Sequence, residues 1–183
     1  MKFGRLFLYV VCLSLLAAIV TLITNLLQGA GIIATGASLT FISFICWASY
    51  FLFGASIKGG ISAICGFIVG IAGAILIFEL IGGFAGWGMD VSALAIPGAV
   101  FVVVVIMALF EKIQYFDNIP AIFLGTGMYF GLMGGMPPLA EKGYLVVAAG
   151  LLLYALLGFA AGWLSVLIRG AFEKSSGKTE AEI

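Results

Sequence analysis

The chain has 183 residues, of which 64% are hydrophobic and only 9% are charged, and its formal net charge is zero. A soluble domain carries about 25% charged residues, so this composition excludes an ordinary soluble protein and predicts one embedded in a lipid bilayer. The neutral balance also gives no support to a nucleic-acid partner.

Six apolar stretches follow one another along the chain, separated by glycine-bearing or charged connections. The first is uncharged and 22 residues long, whereas the apolar core of a cleaved secretory signal has about 7–15, so we interpret it as an uncleaved first helix. We predict an all-α membrane protein with six transmembrane helices in a single domain, residues 1–183. The predicted spans are 6–27, 36–53, 61–81, 91–110, 119–136 and 144–168, and residues 169–183 are predicted to form a polar cytoplasmic tail.

The fifth stretch, which runs from Ile119 to Pro138, is apolar and uncharged yet carries five glycines. In water each interior glycine would destabilise a helix by about 1 kcal/mol relative to alanine, but in a bilayer glycines let neighbouring helices approach closely. Gly127, Gly131 and Gly135 recur every four residues and therefore form one bare helix face. We expect a closely packed or partly broken membrane helix here.

The positive charges predict the orientation. With six spans, seven of the eight basic residues fall on one side of the membrane, and only Lys142 falls on the other. Because basic residues concentrate in cytoplasmic loops, both termini are predicted to be cytoplasmic. The seven residues on the predicted cytoplasmic side are Lys2, Arg5, Lys58, Lys112, Arg169, Lys174 and Lys178.

An internal repeat is predicted from two aromatic motifs. Phe44-Ile45 and Tyr50-Phe51 of the second stretch recur as Phe123-Leu124 and Tyr129-Phe130 of the fifth, shifted by 79 residues. The two stretches would cross the membrane in opposite directions, so the pattern predicts two inverted three-helix repeats. Many channels and transporters are built in this way, with the solute path between the repeats.

Three short patterns resemble a known family. They are Tyr50-Phe51 at the end of the second stretch, the Lys58-Gly59 loop, and the opening of the fifth stretch with Pro120, Phe123, Leu124 and Gly125. In these the chain resembles the YcdZ-like bacterial inner-membrane proteins, which share a domain of unknown function numbered 1097. The resemblance implies a six-helix protein of the bacterial inner membrane and brings no reaction or catalytic residue with it.

A few polar side chains in the apolar stretches are candidates for a solute path. Glu79 would lie near the outer end of the third span, at the depth of Asn25 and Gln28, and carboxylates at membrane depth often mark pathways. Neutral hydroxyls on the second and fifth spans suit orientation of a small polar solute. The alternative is that Glu79 reaches interfacial water and that the hydroxyls bond between helices. The hydroxyl candidates are Ser43, Tyr50, Thr126 and Tyr129.

Small residues predict helix contacts. Ser62, Gly66 and Gly70 share one face of the third span, and Gly158 and Gly162 form a similar pair on the sixth. Such faces pack helices within one chain or between copies, and glycine makes up 26 residues of the chain. We therefore expect a homo-oligomer.

No reaction chemistry is predicted. The chain has no histidine, and its three cysteines, Cys12, Cys46 and Cys65, have no metal-binding spacing, so we expect neither a metal nor another cofactor. Nucleophile and phosphate-binding motifs of enzymes are missing from the sequence as well. The hypothesis is a channel or facilitator for a small neutral or weakly acidic solute, and the alternative is a non-transporting scaffold or partner subunit of another membrane complex.

Overall fold

The computed structural model describes residues 3–31 and 39–180. Seven α-helices form this part of the chain, and the predicted all-α class is confirmed. A π-helical turn, Val91–Ala95, precedes the fourth helix, and a 3-10 turn, Leu109–Lys112, follows it. The helices are α1 (Phe3–Gly29), α2 (Thr40–Leu52), α3 (Ile57–Gly86), α4 (Ile96–Ala108), α5 (Ile119–Gly135), α6 (Pro137–Ala140) and α7 (Tyr144–Glu180).

Among the described residues, four segments are long and apolar enough to cross a bilayer. They are Phe3–Gly29, Ile57–Gly86, Val91–Lys112 and Tyr144–Glu173. By helix length and hydropathy the chain is therefore a multi-pass membrane protein. The helices α2 and α5 are apolar but have only 13 and 17 residues, which correspond to lengths of about 20 and 26 Å. The second predicted span begins at residue 36, and residues 36–38 lie outside the described residues.

Two long helices extend beyond their predicted ends. At its start, α3 is capped by the Ser56 hydroxyl, which accepts a hydrogen bond of 3.1 Å from the Gly59 amide. The glycine-rich segment 82–86, predicted as a connection, stays helical in α3, as expected where the backbone must satisfy its own hydrogen bonds. Helix α7 continues to Glu180, where a polar tail was predicted from residue 169. Arg169 and Glu173, one turn apart, form an ion pair of 2.8 Å that favours this extension.

The start of the fourth span is shaped by Asp90 and Pro97. The Asp90 carboxylate accepts hydrogen bonds from the Ala93 amide (2.7 Å) and the Ser92 hydroxyl (2.9 Å), and these bonds lower the pKa of Asp90. Pro97 stands in the first turn of α4, where its missing N–H is tolerated. The wider π-helical turn lies directly before it, which is a common adjustment next to a helix irregularity.

The helices form two compact units. The first unit comprises residues 1–60 and 153–183, and the second unit comprises residues 61–152. These ranges do not coincide with the two halves of the predicted repeat, and both the repeat and the single domain remain predictions.

Each unit has its own apolar core. In the first unit Val20, Trp47 and Ala161 bring together α1, α2 and α7. In the second unit the core joins α3, α4 and α5, and its buried members are Val69, Ile77, Ala99, Val103, Met107 and Ile122. These cores position the polar side chains described next.

Candidate functional site

In the second unit, α5 lies against a glycine face of α3. A Cβ atom added at Gly66 would lie 3.0 Å from the carbonyl oxygen of Asn118, and one added at Gly70 would overlap the carbonyl of Ile122. The contacts advance in the same direction along both helices, so the helices run parallel. Two helix backbones can approach each other this closely only where side chains are missing from the contact.

The same contact continues from the α5 side. A Cβ atom added at Gly125 would overlap the carbonyl of Phe67. The neighbouring Thr126 is buried, and its hydroxyl lies 3.0 Å from the carbonyl oxygen of Gly70 and 2.9 Å from that of Ile122. The Thr126 hydroxyl therefore donates its single proton to these two carbonyl oxygens, which belong to the same unit.

In the first unit, α2 lies against a glycine face of α7. An added Cβ at Gly158 would overlap the carbonyl of Ser43, and one at Gly162 would lie 2.6 Å from the Cβ of Tyr50. These helices are also parallel. The buried Ser43 hydroxyl donates a hydrogen bond of 2.7 Å to the carbonyl of Tyr154, and this predicted path residue therefore bonds between helices.

Sequence reasoning missed three polar residues of the first unit. The Trp47 indole N–H donates to the Ser165 hydroxyl at 2.9 Å, and the Tyr154 hydroxyl donates to the carbonyl of Thr24 at 3.2 Å. Sequence spacing could have identified Ser165, because it follows Gly158 by seven residues and so shares its helix face. These bonds tie α2 and α1 to α7.

Tyr129, another predicted path residue, is fully buried in the second unit. Its hydroxyl donates to the carbonyl of Tyr144 at 3.0 Å. Phe78 packs beside both tyrosines, with its ring stacked on Tyr144 at a centroid distance of 6.1 Å and meeting Phe130 edge-on at 5.3 Å. The Tyr129 ring therefore belongs to an aromatic cluster with Phe78, Phe130 and Tyr144.

Tyr50, the residue that the 79-residue shift pairs with Tyr129, has a different environment. Its side chain is 3% exposed, and its hydroxyl has no hydrogen-bond partner among the described residues. The ring lies between Gly162 and Gly60, where an added Cβ would lie 2.9 Å from the Tyr50 ring. A buried hydroxyl without a partner costs about 1–3 kcal/mol, so this atom is a candidate contact for a small ligand.

The three candidate path residues predicted near the outer ends of the first and third spans are distributed over both units. Glu79 is an exposed residue of α3, and its charge lies within electrostatic reach of Tyr144. Asn25 is exposed and Gln28 is half-buried, and both belong to α1. Along α3, Glu79 follows Lys58 by 21 residues, or about 32 Å, which is close to the thickness of a bilayer core.

The second glycine face of α5 is open. A Cβ atom added at Gly127, Gly131 or Gly135 would meet nothing within 4 Å, and all three residues are exposed. Ser62, which was grouped with the packing glycines, is half-buried and donates to the Asp117 carboxylate at 3.1 Å. One side of α5 is therefore packed on α3 through Gly125, while another side is bare.

The cysteines are free thiols, with Cys46 buried and Cys12 and Cys65 half-buried. Within residues 3–31 and 39–180, no group of three or more Cys, Asp or Glu side chains is arranged to hold a metal ion.

Comparison with known proteins gives one match. A family model described as a protein of unknown function, DUF1097, matches residues 10–167. No curated protein and no solved structure matches the chain. The matched segment begins in α1 and ends in α7, so it covers all the helix contacts described above.

Proposed function

The chain belongs to the DUF1097 family of proteins of unknown function, and we propose that it acts as a membrane scaffold that associates with a second copy of itself, without catalysing a reaction. The observation that carries this proposal is the bare face of α5, formed by Gly127, Gly131 and Gly135. The same helix packs backbone to backbone on α3 through Gly125, so α5 can form contacts of this kind.

The lipid environment favours a helix as the occupant of the bare face. Between membrane helices the attraction comes from close packing and not from expulsion of water. A row of glycines offers a flat backbone surface, against which another helix makes many contacts, including weak Cα–H···O bonds. Phe123, which is 51% exposed one turn before Gly127, would add a side-chain contact at the edge.

A second copy of the chain supplies a matching surface without any further protein. In a two-fold dimer the same patch meets itself, and a flat glycine face is complementary to another flat glycine face. The chain would thus use one side of α5 for its own fold and the other side for assembly.

Association can be measured by energy transfer between separately labelled copies in vesicles, at a series of protein-to-lipid ratios. We expect energy transfer that rises with protein density, and an at least tenfold weaker association for Gly131→Leu. The matched control is Gly170→Leu on α7, a position that is also open. A wild-type protein that stays monomeric at every density would contradict the proposal, as would equal association of Gly131→Leu and wild type.

A second candidate function is a channel or facilitator for a small neutral or weakly acidic solute. The specific observation in its favour is the Tyr50 hydroxyl, which is buried without a partner among the described residues. A passing solute with an oxygen acceptor would satisfy this donor transiently. Glu79, at the predicted membrane boundary, would attract cations or orient donor groups with a strength that salt screens.

Flux of glycerol and acetic acid into vesicles tests this candidate. If it holds, wild-type protein raises the flux above that of empty vesicles, Tyr50→Phe lowers it severalfold, and Glu79→Gln changes its salt dependence. Tyr115→Phe is the control, because Tyr115 is an exposed residue. Wild-type flux equal to that of empty vesicles would remove this candidate and leave the scaffold.

Topology is part of the proposal. We place six spans in a bacterial inner membrane with both termini in the cytoplasm, because seven of eight basic residues then face inward. A periplasm-specific reporter fused after Ile183 should be silent. The inverted repeat would require residues 5–82 to superpose on 84–168 of an experimental structure by a half-turn about an axis in the membrane plane.

A further inference from the structure

The Tyr50 side chain is held at two places along its length. A Cβ atom added at Gly162 would lie 2.6, 2.7 and 2.9 Å from the Cβ, Cγ and Cδ1 atoms of Tyr50, whereas one added at Gly60 would lie 2.9 Å from Cε2. The Cε2 atom is bonded to the carbon that carries the hydroxyl. Helix α7 therefore packs against the stem of Tyr50, and the first turn of α3 packs against its hydroxyl end.

The segment that covers the hydroxyl end is residues 53–60, the connection from α2 into the first turn of α3. These residues belong to the first unit, which ends at Gly60 in this part of the chain. Gly60 is the one buried residue of the segment, while Ser56, Ile57 and Lys58 are exposed. Segments with few buried contacts open locally at a low free energy, so this cover can move.

Two features of the segment destabilise the covered arrangement. The Tyr50 hydroxyl has no hydrogen-bond partner among the described residues, and a buried polar group without a partner destabilises the state that buries it. Ala55 has a φ of 47°, in the left-handed region that residues with a Cβ atom rarely adopt. Both features arise while the segment is folded back on α2, so both favour its movement away.

Three contacts oppose this movement and define a closed position. The Ala55 amide donates to the carbonyl of Tyr50 at 3.1 Å, and the Ser56 hydroxyl accepts from the Gly59 amide at 3.1 Å. The Phe53 carbonyl lies so close to Gly59 that an added Cβ there would overlap it. The segment therefore has a specific seat on the end of α2, and this seat requires that residue 59 lack a side chain.

We propose that residues 53–60 form a lid over the Tyr50 hydroxyl. In the closed position the hydroxyl is sealed off without a partner. In the open position the first turn of α3 moves away, and the hydroxyl donates to water or to an oxygen of a solute. The hydroxyl itself biases the lid toward opening, because it forms a hydrogen bond only in the open position. The lid does not depend on assembly through α5, and it can be tested without any solute.

Hydrogen exchange of the wild-type protein in vesicles tests the lid, with mass spectrometry resolving single amides. The Gly59 and Gly60 amides donate to the hydroxyl and the carbonyl of Ser56. The first turn of α5 offers a matched control, because the Ala121 and Ile122 amides donate to the side chain and the carbonyl of Asn118. We expect at least about fivefold lower protection in the lid, and equal protection at the two helix starts would overturn the proposal.

Removing the hydroxyl tests the direction of the effect. Tyr50→Phe keeps the ring and removes the buried donor, so the closed lid becomes more stable and the protection of Gly59 and Gly60 should rise at least about fivefold. Tyr154→Phe is the control, because the Tyr154 hydroxyl of the same unit already bonds to the carbonyl of Thr24; this change should not raise the protection of the lid. Unchanged or lower protection in Tyr50→Phe would overturn the proposal.

A variant that holds the lid open completes the test. Gly59→Ala places a methyl group against the Phe53 carbonyl and should lower the protection of the Gly60 amide at least about fivefold. Gly170→Ala, at an open position of the same unit, should leave it unchanged. Wild-type protection of Gly60 in Gly59→Ala would contradict the closed position. The wild-type protein and Tyr50→Phe decide the proposal even if Gly59→Ala fails to fold.

Discussion

The two parallel helix pairs, α3 with α5 and α2 with α7, use glycine in different ways. In the first pair both helices contribute glycine, with Gly66 and Gly70 from α3 and Gly125 from α5. In the second pair the glycines that make contact, Gly158 and Gly162, come from α7 alone. In the second unit both helices therefore contribute bare backbone to the contact, whereas in the first unit only α7 does.

This difference determines which atoms would have to move if a larger residue replaced one of the contact glycines. Around Gly70 the neighbours are main-chain atoms of Ile122 and Thr126, which are fixed by helix hydrogen bonds. Around Gly162 the neighbours are the Cβ of Tyr50, which is fixed to its backbone, and two ring atoms of Tyr50, which can rotate away at some cost. The α3–α5 contact should thus be the less tolerant of the two.

The largest effect is expected for Gly70→Ala. The added methyl group would overlap the Ile122 carbonyl, and a forced backbone shift of this kind should lower the free energy of unfolding by about 3 kcal/mol. Denaturant titration in mild detergent measures it. Gly131→Ala makes the same change where nothing lies within 4 Å, and should stay within about 0.5 kcal/mol of wild type. Equal effects at the two positions would refute the described contact.

Gly162→Ala should cost less, about 2 kcal/mol, because the Tyr50 side chain can move. The double variant Gly162→Ala/Tyr50→Ala should lose less than the sum of the two single variants, because alanine removes the Tyr50 ring atoms that lie 2.7 and 2.9 Å from the added methyl group and contacting residues are energetically coupled. The same titration measures the coupling, and Gly170→Ala is the control on α7 at an open position. If the two changes in the free energy of unfolding are additive, Tyr50 is not coupled to Gly162 at this contact.

The first turns of α2 and α5 also differ. The Asn118 side chain accepts a hydrogen bond of 3.1 Å from the Ala121 amide and caps α5, whereas Leu39 offers α2 no side-chain cap. Asn118→Ala should destabilise the protein by about 1 kcal/mol, and Asn118→Asp should be nearly neutral because it keeps the acceptor. Hydrogen exchange at the first turn of α5 would report the loss, and unchanged exchange in Asn118→Ala would argue against the cap.

The smallest effects are expected for the buried hydroxyls. Ser43→Ala removes one bond between α2 and α7 and should cost about 0.6 kcal/mol, a common value for hydrogen bonds between membrane helices. Thr126→Val should cost less, because the Thr126 hydroxyl divides its proton between a carbonyl of α3 and one of its own helix. Thermal unfolding of the two variants side by side checks the order, and a larger loss for Thr126→Val would reverse this part of the comparison.

Helix positions were readable from the sequence because apolar length is the dominant signal in a membrane protein. The start of α5 at Ile119 was predicted from Pro120, and its end before Pro137 from the two prolines. The ends of α3 and α7 were not predicted from the sequence. Glycine and charged residues usually end helices in water, whereas α3 and α7 continue through them. The helical run through Gly82 and Gly83 is the clearest case.

Helix partners could not be read in the same way. Gly66 and Gly70 share the spacing of Gly127 and Gly131, yet the first two lie against α5 and the last two are open. Spacing identifies a face but carries no information about what covers it. Likewise, a hydroxyl that faces a solute and one that bonds to a carbonyl look identical in a sequence, as Thr126 illustrates.

The length of α2 has a consequence for the membrane itself. At about 20 Å, α2 is about 10 Å shorter than the hydrocarbon core of a common bilayer, while several of its aromatic side chains are exposed on the outside of the chain. A bilayer that α2 crosses must thin around it, at a fraction of a kcal/mol per Å of mismatch. Under the proposed six-span topology, vesicles made of shorter-chain lipids should therefore reduce the mismatch at α2 and stabilise the protein.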